Sequence, residues 1–200
     1  MVAAQIGLGR SLPAAFYARP VLEVARDLVG CVIAHGETAG VIVETEAYHQ
    51  SEPACHAYVG LTGRTAPLFG PPGHAYVYRS YGIHALLNTV CEPEGVGAAV
   101  LLRALEPLHG IELMRARRGP LPDRQLCSGP GKLTIALGVG LELNRSSLVQ
   151  GPVRVHPRPD GWREAPVAVD RRIGITKAAE LPWRFSAQGS ACLSRPVVRG

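Results

Sequence analysis

"VIVETEAYHQSEPACHAY", Val41 to Tyr58, takes an apolar β-branched run straight into Glu44 and Glu46, then to Tyr48 and His56. Val41-Ile42-Val43 reads as a buried strand. On a strand, residues i and i+2 share a face. Glu44 and Glu46 therefore point the same way, with Ile42 behind them, and extended side chains stand about 7 Å apart. A strand end that opens into a loop is a common place for catalytic groups. The residues alone leave two readings open: a solvated polar strand terminus, or a carboxylate site.

Outward from this stretch, the pattern alternates between sheet and helix. "ARPVLEVARDLVG" predicts a helix with Pro20 in its first turn, an apolar stripe of Val21, Leu22, Val24, Ala25 and Leu28, and Gly30 as a stop. Cys31 to Ala34 and Val41 to Glu46 predict two strands joined by the turn "HGETAG". "HAYVYRSY" and "HALLNTV" predict two more, with Gly82 between them, and "GVGAAVLLRALEP" a central strand. Helices are expected at "EPLHGIELMRARRG" and "SGPGKLTIALGV", the second capped by Ser128, and short strands at "PVRVHP", "RIGIT" and "WRFSA". The expectation is an α+β fold: a single mixed domain over residues 1–200, with a curved, mainly antiparallel sheet and surrounding helices. Residues 1–12 are expected to form a flexible N-terminal segment. The irregular stretch from Gln50 to Gly73 is long enough to suggest a functional loop.

Composition narrows the class. The chain has 200 residues, a formal net charge of +5 and a pI near 9.2, compatible with a polyanionic partner. Of its 21 basic residues only Lys132 and Lys177 are lysine; the rest are arginines, whose rigid fork suits phosphate and carboxylate. Five scattered cysteines without a C-x-x-C pair argue against a disulfide framework or zinc knuckle, and the histidines lack metal-binding spacing. No metal or other cofactor is expected. The sequence has no apolar run of membrane-spanning length and no signal-like start. The expected setting is cytoplasmic or nucleoid in a bacterium, nuclear in a eukaryote, and not secreted.

The polar residues placed on apolar strands carry the chemical argument. Arg103 follows a buried run and needs a carboxylate partner, with Glu46, Glu44 and Glu106 as candidates. A neighbouring arginine favours the ionised form that a general base requires. Asn88 within "LLNTV" must be hydrogen-bonded or read a ligand. Tyr48, Tyr58, Tyr76, Tyr78 and Tyr81 crowd one region near Arg64 and Arg79, which suits base stacking and phosphate pairing, or an aromatic core. "CSGPGKL" places Gly129, Gly131 and Lys132 at a helix start, a docking point for a phosphodiester.

Taken together, "VETEAY" (43–48), "HAY" (56–58), "GHAYVYRSYGIHALLN" (73–88), "VLLRALEP" (100–107), "CSGPGKL" (127–133) and "RIGI" (172–175) resemble the alkyladenine type of 3-methyladenine DNA glycosylase, in the family's order. The resemblance implies a single mixed domain that acts as a monomer on double-stranded DNA containing damaged purines. It implies hydrolysis of the N-glycosidic bond without metal, covalent lysine adduct or strand cleavage. It implies that Glu46 is the water-activating base, Arg103 its water-binding partner, and Ile173 a residue whose backbone carbonyl also holds the water. Tyr48, His56 and Tyr78 would line the base pocket, Asn88 would limit which purines fit, and Tyr81 would be the wedge in the duplex. Arg64, Arg79 and Lys132 are expected to contact DNA. Departures from the family pattern are Thr65 and Leu68 in "TGRTAPLF", Arg79 and Ser80 between two tyrosines, and Cys192 in place of an aromatic. Two competing readings are a carbohydrate glycosidase using Glu44 and Glu46 as an acid/base pair, and a non-catalytic module that recognises damaged DNA.

Overall fold

The computed structural model describes residues 7–197. Along the chain run α1 (Ala14–Tyr17), α2 (Val21–Leu28), β1 (Val32–His35), β2 (Thr38–His49), β3 (Ala75–Ser80), β4 (His84–Val90) and β5 (Ala98–His109). After them come α3 (Ile111–Arg118), α4 (Asp123–Leu126), α5 (Pro130–Leu137), β6 (Val153–His156), β7 (Val167–Asp170) and β8 (Arg184–Ala187). The strands form one antiparallel sheet in the order β3-β4-β5-β2-β1-β6, with β7 joined to β8 and β8 to β2. The mixed fold with a mainly antiparallel sheet is the one the sequence predicts.

β2 and β5 are the two 12-residue strands, and they pair along nearly their whole length. The other edge of β2 is divided. Val41 and the residues before it pair with β1, whereas Glu44 to Glu46 pair with β8. Register shifts flank Glu44 on β2, where the pairing with β5 passes from Ala104 to Leu102 and skips Arg103. Such bulges re-aim side chains, and here they fall at the three charged residues that matter most. Thr45, between the glutamates, faces α2 and donates its hydroxyl to the Ala25 carbonyl at 2.7 Å. α2 buries Val21, Val24, Ala25 and Leu28 of its predicted stripe, whereas Leu22, also assigned to the stripe, lies off that face and is exposed; each larger buried apolar side chain contributes about 1.5–3 kcal/mol. Its first N–H is capped from afar by Glu92, which accepts from Val21 at 3.0 Å.

Several local expectations are corrected. The β1–β2 turn is only Gly36-Glu37, because the apolar-rich Thr38 and Ala39 are buried and join the ladder. Glu106 to His109 extend β5 rather than opening a helix, and α3 starts only after Gly110. Ser128 does not cap α5; Gly129 occupies that position without a side-chain hydrogen bond. "RIGIT" is irregular, and the strand lies just upstream as β7. In the N-terminal segment, Gly9 to Leu12 lie along β6: the Leu12 N–H donates to Val155 and the Gly9 carbonyl faces His156. Residues 1–6 of that expected flexible segment lie outside the described residues.

The stretch from Gln50 to Gly73 folds back on the sheet with 3₁₀ turns at His56–Val59 and Ala66–Phe69. The Gln50 N–H donates to the Gly97 carbonyl, and the Gly97 N–H donates to the Gln50 side-chain Oε1, both at 2.8 Å. A Cβ at Gly97 would meet Ala57 Cβ at 2.5 Å and the Phe69 ring at 2.8 Å, so this close approach needs glycine. Thr65, one of the departures, ties the loop by donating to the Gly60 carbonyl at 2.8 Å and accepting from the Thr62 N–H.

Candidate active site

The loop, β3, β4, the N-terminal end of α5 and the segment Ile173 to Ile175 enclose a cavity of about 710 Å³. That is within the range of small-molecule pockets. Its walls carry five basic residues, Arg64, Arg79, Arg103, Arg118 and Lys132, and no acidic one among the described residues. Tyr48, His56, Tyr78 and Asn88, the predicted pocket residues, all line it.

The aromatic wall follows from strand periodicity. Tyr76 and Tyr78 share a face of β3 and stack at 5.3 Å and 23°. His56 meets Tyr78 edge-on at 4.7 Å. Tyr76 is buried, and its hydroxyl lies 3.1 Å from His56 Nδ1. Burial pushes the His56 pKa down and the nearby Arg64 charge adds to it, so the ring is neutral at neutral pH. Arg64 therefore belongs to the pocket wall, against Tyr76 and His56, as well as to its mouth. Asn88 sits opposite Tyr76 in the ladder and donates its side-chain amide to the Tyr76 carbonyl at 3.1 Å, which fixes how the amide faces the cavity. Leu68, another departure, is buried against this cluster.

Glu46 lies beneath this cavity and is fully buried, 0% exposed. Its Oε1 accepts from the Ile173 backbone N–H at 2.7 Å; its Oε2 accepts from the Tyr48 hydroxyl at 2.8 Å and from Arg103 Nη1 at 3.2 Å. Burial pushes its pKa up, and Arg103, the Ile173 N–H and the Tyr48 hydroxyl pull against that. It is thus the Ile173 N–H that the structure brings to the carboxylate.

Glu44 has a different environment. It accepts from Arg103 Nε at 3.1 Å, Arg184 Nε at 2.8 Å, and both the N–H and hydroxyl of Ser194 at 2.6 and 2.8 Å. Of the three carboxylates open to Arg103, the structure selects Glu44 and Glu46 together. With four donors on its carboxylate, two of them from arginines, and no exposed surface, Glu44 is held ionised and sealed from substrate, which disfavours it as the second acid of a carbohydrate glycosidase pair.

Tyr81 is 90% exposed at the tip of the β3–β4 hairpin, beside the cavity mouth, and its backbone has φ +49°. A left-handed tyrosine is uncommon, and here it lifts the ring off the sheet. Arg79 and Ser80 flank it at the mouth. Lys132 and Gly131 open α5 on the opposite rim; a Cβ at Gly131 would press on His84 at 2.9 Å, so glycine lets the helix start close to β4. Cys192, the last departure, packs into the main core.

Sequence reasoning missed Arg118 at the rim and the buried Glu52–Arg172 pair behind Tyr48. Their signals were faint: an acidic residue in the long loop, and an arginine one position before Ile173.

The Methylpurine-DNA glycosylase family model matches residues 15–191. A Bradyrhizobium diazoefficiens protein is 54% identical over 192 residues, covering 96% of this chain and 94% of its own. A Methanoculleus marisnigri protein is 52% identical over 190 residues, 92% of this chain and 99% of its own. One from Nitrosospira multiformis is 47% identical over 189 residues, 94% and 96% respectively. Each bears the name "Putative 3-methyladenine DNA glycosylase". With a family match across most of its length and relatives this close over nearly the whole chain, the protein belongs to the methylpurine-DNA glycosylase family, the DNA glycosylases of base repair.

Proposed function

We propose that this chain is a monofunctional glycosylase that, as a monomer, flips alkylated purines out of duplex DNA and hydrolyses their N-glycosidic bond with a water activated by Glu46. The observation that carries this reading is a buried, arginine-paired carboxylate beneath an aromatic cavity whose Arg and Lys lining has no acidic counterpart among the described residues. The work is placed wherever the cell keeps its chromosome, in line with five free, buried cysteines.

An enzyme cannot reach this bond inside the stack, so the nucleotide must leave it. The cationic rim holds the phosphates, and the base enters between Tyr48, Tyr78 and His56. Because Tyr76 orients neutral His56 through Nδ1, its Nε2 is left for the base. Glu46 Oε1 has a single hydrogen-bond partner and can accept one more, from a water entering between Arg103 and Ile173. As the bond from C1′ to the base nitrogen breaks, its electron pair goes to the purine and the sugar becomes oxocarbenium-like. The water oxygen bonds C1′ and its proton passes to Glu46. An N3-alkylated purine starts cationic and leaves neutral, so no acid is required. The test is a panel of lesion duplexes assayed for freed base, with a check that the strand stays intact without added base.

The pH dependence has a definite sign. Activity needs ionised Glu46, and burial raises its pKa above 4.5, so the acid limb of the rate profile should lie above that value. Tyr48→Phe removes a hydrogen bond that lowers the Glu46 pKa and should move the limb further up. Single-turnover rates across pH check both.

The wedge can be tested against its own backbone. Tyr81→Gly relieves a left-handed φ and should leave stability unchanged or raise it by up to about 1 kcal/mol. The same change should weaken binding to lesion duplex by about tenfold or more, because flipping costs a few kcal/mol that the ring offsets. Thermal melting and a binding titration on one preparation separate the two effects.

A further inference from the structure

Arg172 lies behind the stacking surface, with its side chain fully buried. Its guanidinium grips Glu52 with two hydrogen bonds, at 2.7 and 3.0 Å, and donates to the Ala47 carbonyl at 2.9 Å. Its carbon sits 4.6 Å from the centre of the Tyr48 ring. One side chain therefore touches the β2 backbone between Glu46 and Tyr48, the rear of the Tyr48 ring, and the loop that leads from Glu52 to His56. It also fixes its own backbone, and the next residue, Ile173, gives its N–H to Glu46.

We propose that the Arg172–Glu52 pair is the positioning unit of the site, setting the Ile173 N–H against Glu46 and the Tyr48 ring against the incoming base, and so governing the chemical step more than DNA affinity. This rests on the reading of Glu46 as the base. Neither residue lines the cavity, so neither is a catalytic residue. A buried ion pair is weak evidence for stability, since an apolar pair of similar volume often does as well. What apolar residues cannot supply is the fork that ties three segments at fixed angles. If the Ile173 N–H drifts from Oε1, the ionised form of Glu46 loses one of its donors.

The test compares wild type, Arg172→Lys, Glu52→Gln and the double variant Glu52→Leu with Arg172→Met. Melting, lesion-duplex affinity and single-turnover rate against pH are measured on the whole chain. The double variant should keep most of its melting temperature, because no buried charge is left unpaired. All folded variants should lose about tenfold or more in rate, lose less in affinity, and show the acid limb at higher pH. A folded variant with the wild-type rate and limb would overturn the proposal, as would losses in affinity equal to those in rate. A wild-type chain that frees no base from methylated duplex would instead overturn the Glu46 reading and this inference together.

Discussion

Glu46→Gln is expected to slow release of 3-methyladenine from methylated duplex by about 100- to 10,000-fold, the usual worth of a general base. Binding of lesion duplex should persist, since Glu46 is fully buried and the surfaces offered to DNA are unchanged. The reason is local. The carboxylate is met by donors alone: the Ile173 N–H on one oxygen, Tyr48 and Arg103 on the other. An amide brings its own donor to one of those positions, and turning its oxygen towards Tyr48 and Arg103 sets N–H against N–H at Ile173. That mismatch costs about 1–3 kcal/mol, visible as a lowered melting point. The variant also cannot take a proton from water, so whatever rate remains should lose its acid limb. Normal turnover by this variant would sink the mechanism; lost release with retained binding supports it over a non-catalytic recognition module only if wild type itself frees base.

Arg103→Met should have the largest effect on stability, about 3–5 kcal/mol. At about 2–4 °C per kcal/mol for a chain of this length, the melting temperature falls by roughly 10 °C. Among the described residues Arg103 is the one cation hydrogen-bonded to both glutamates, and both are 0% exposed. Without it Glu44 keeps Arg184 and Ser194, but Glu46 keeps no paired cation among the described residues. Arg103 is the strongest of the influences holding the Glu46 pKa down, so its loss drives that pKa higher still and glycosylase activity is lost as well. The sign of the pH effect follows. A carboxyl whose folded pKa lies above its unfolded value binds more protons when folded, so stability falls as pH rises between the two. The variant's deficit should therefore be largest near neutral pH and shrink in acid, where protonated Glu46 no longer needs a cation. Melting of both proteins across pH measures the gap.

Much of this site was legible in the chain because strands have a strict period. Glu44, Glu46 and Tyr48 had to share a face, as did Tyr76 and Tyr78, and a lone arginine after a buried run had to find a carboxylate. The motif order then pointed to the family, which the comparisons show. The local misreadings have physical causes. A two-residue turn was hidden in "HGETAG" because Thr38 and Ala39 gain more from burial in the ladder than as turn residues. "RIGIT" looks like a strand by its β-branched residues, yet Gly174 has φ +75° and the Ile173 N–H turns to Glu46 instead of a neighbouring strand.

The sequence by itself determined most of the strands, the faces their side chains share, and which polar residue types stand on them. Only the tertiary structure decided what each glutamate touches. Both stand on one face of β2, but Arg184 of β8 and Ser194 close over Glu44, while the far end of β2 runs under the cavity and sets Glu46 against Tyr48, Arg103 and Ile173, which line it. Likewise, only folding brings Arg172 to Glu52, 120 positions away, and places their pair behind Tyr48. Contacts between distant segments are set by how the sheet curves and what packs on it, and no local pattern in the chain encodes that closure.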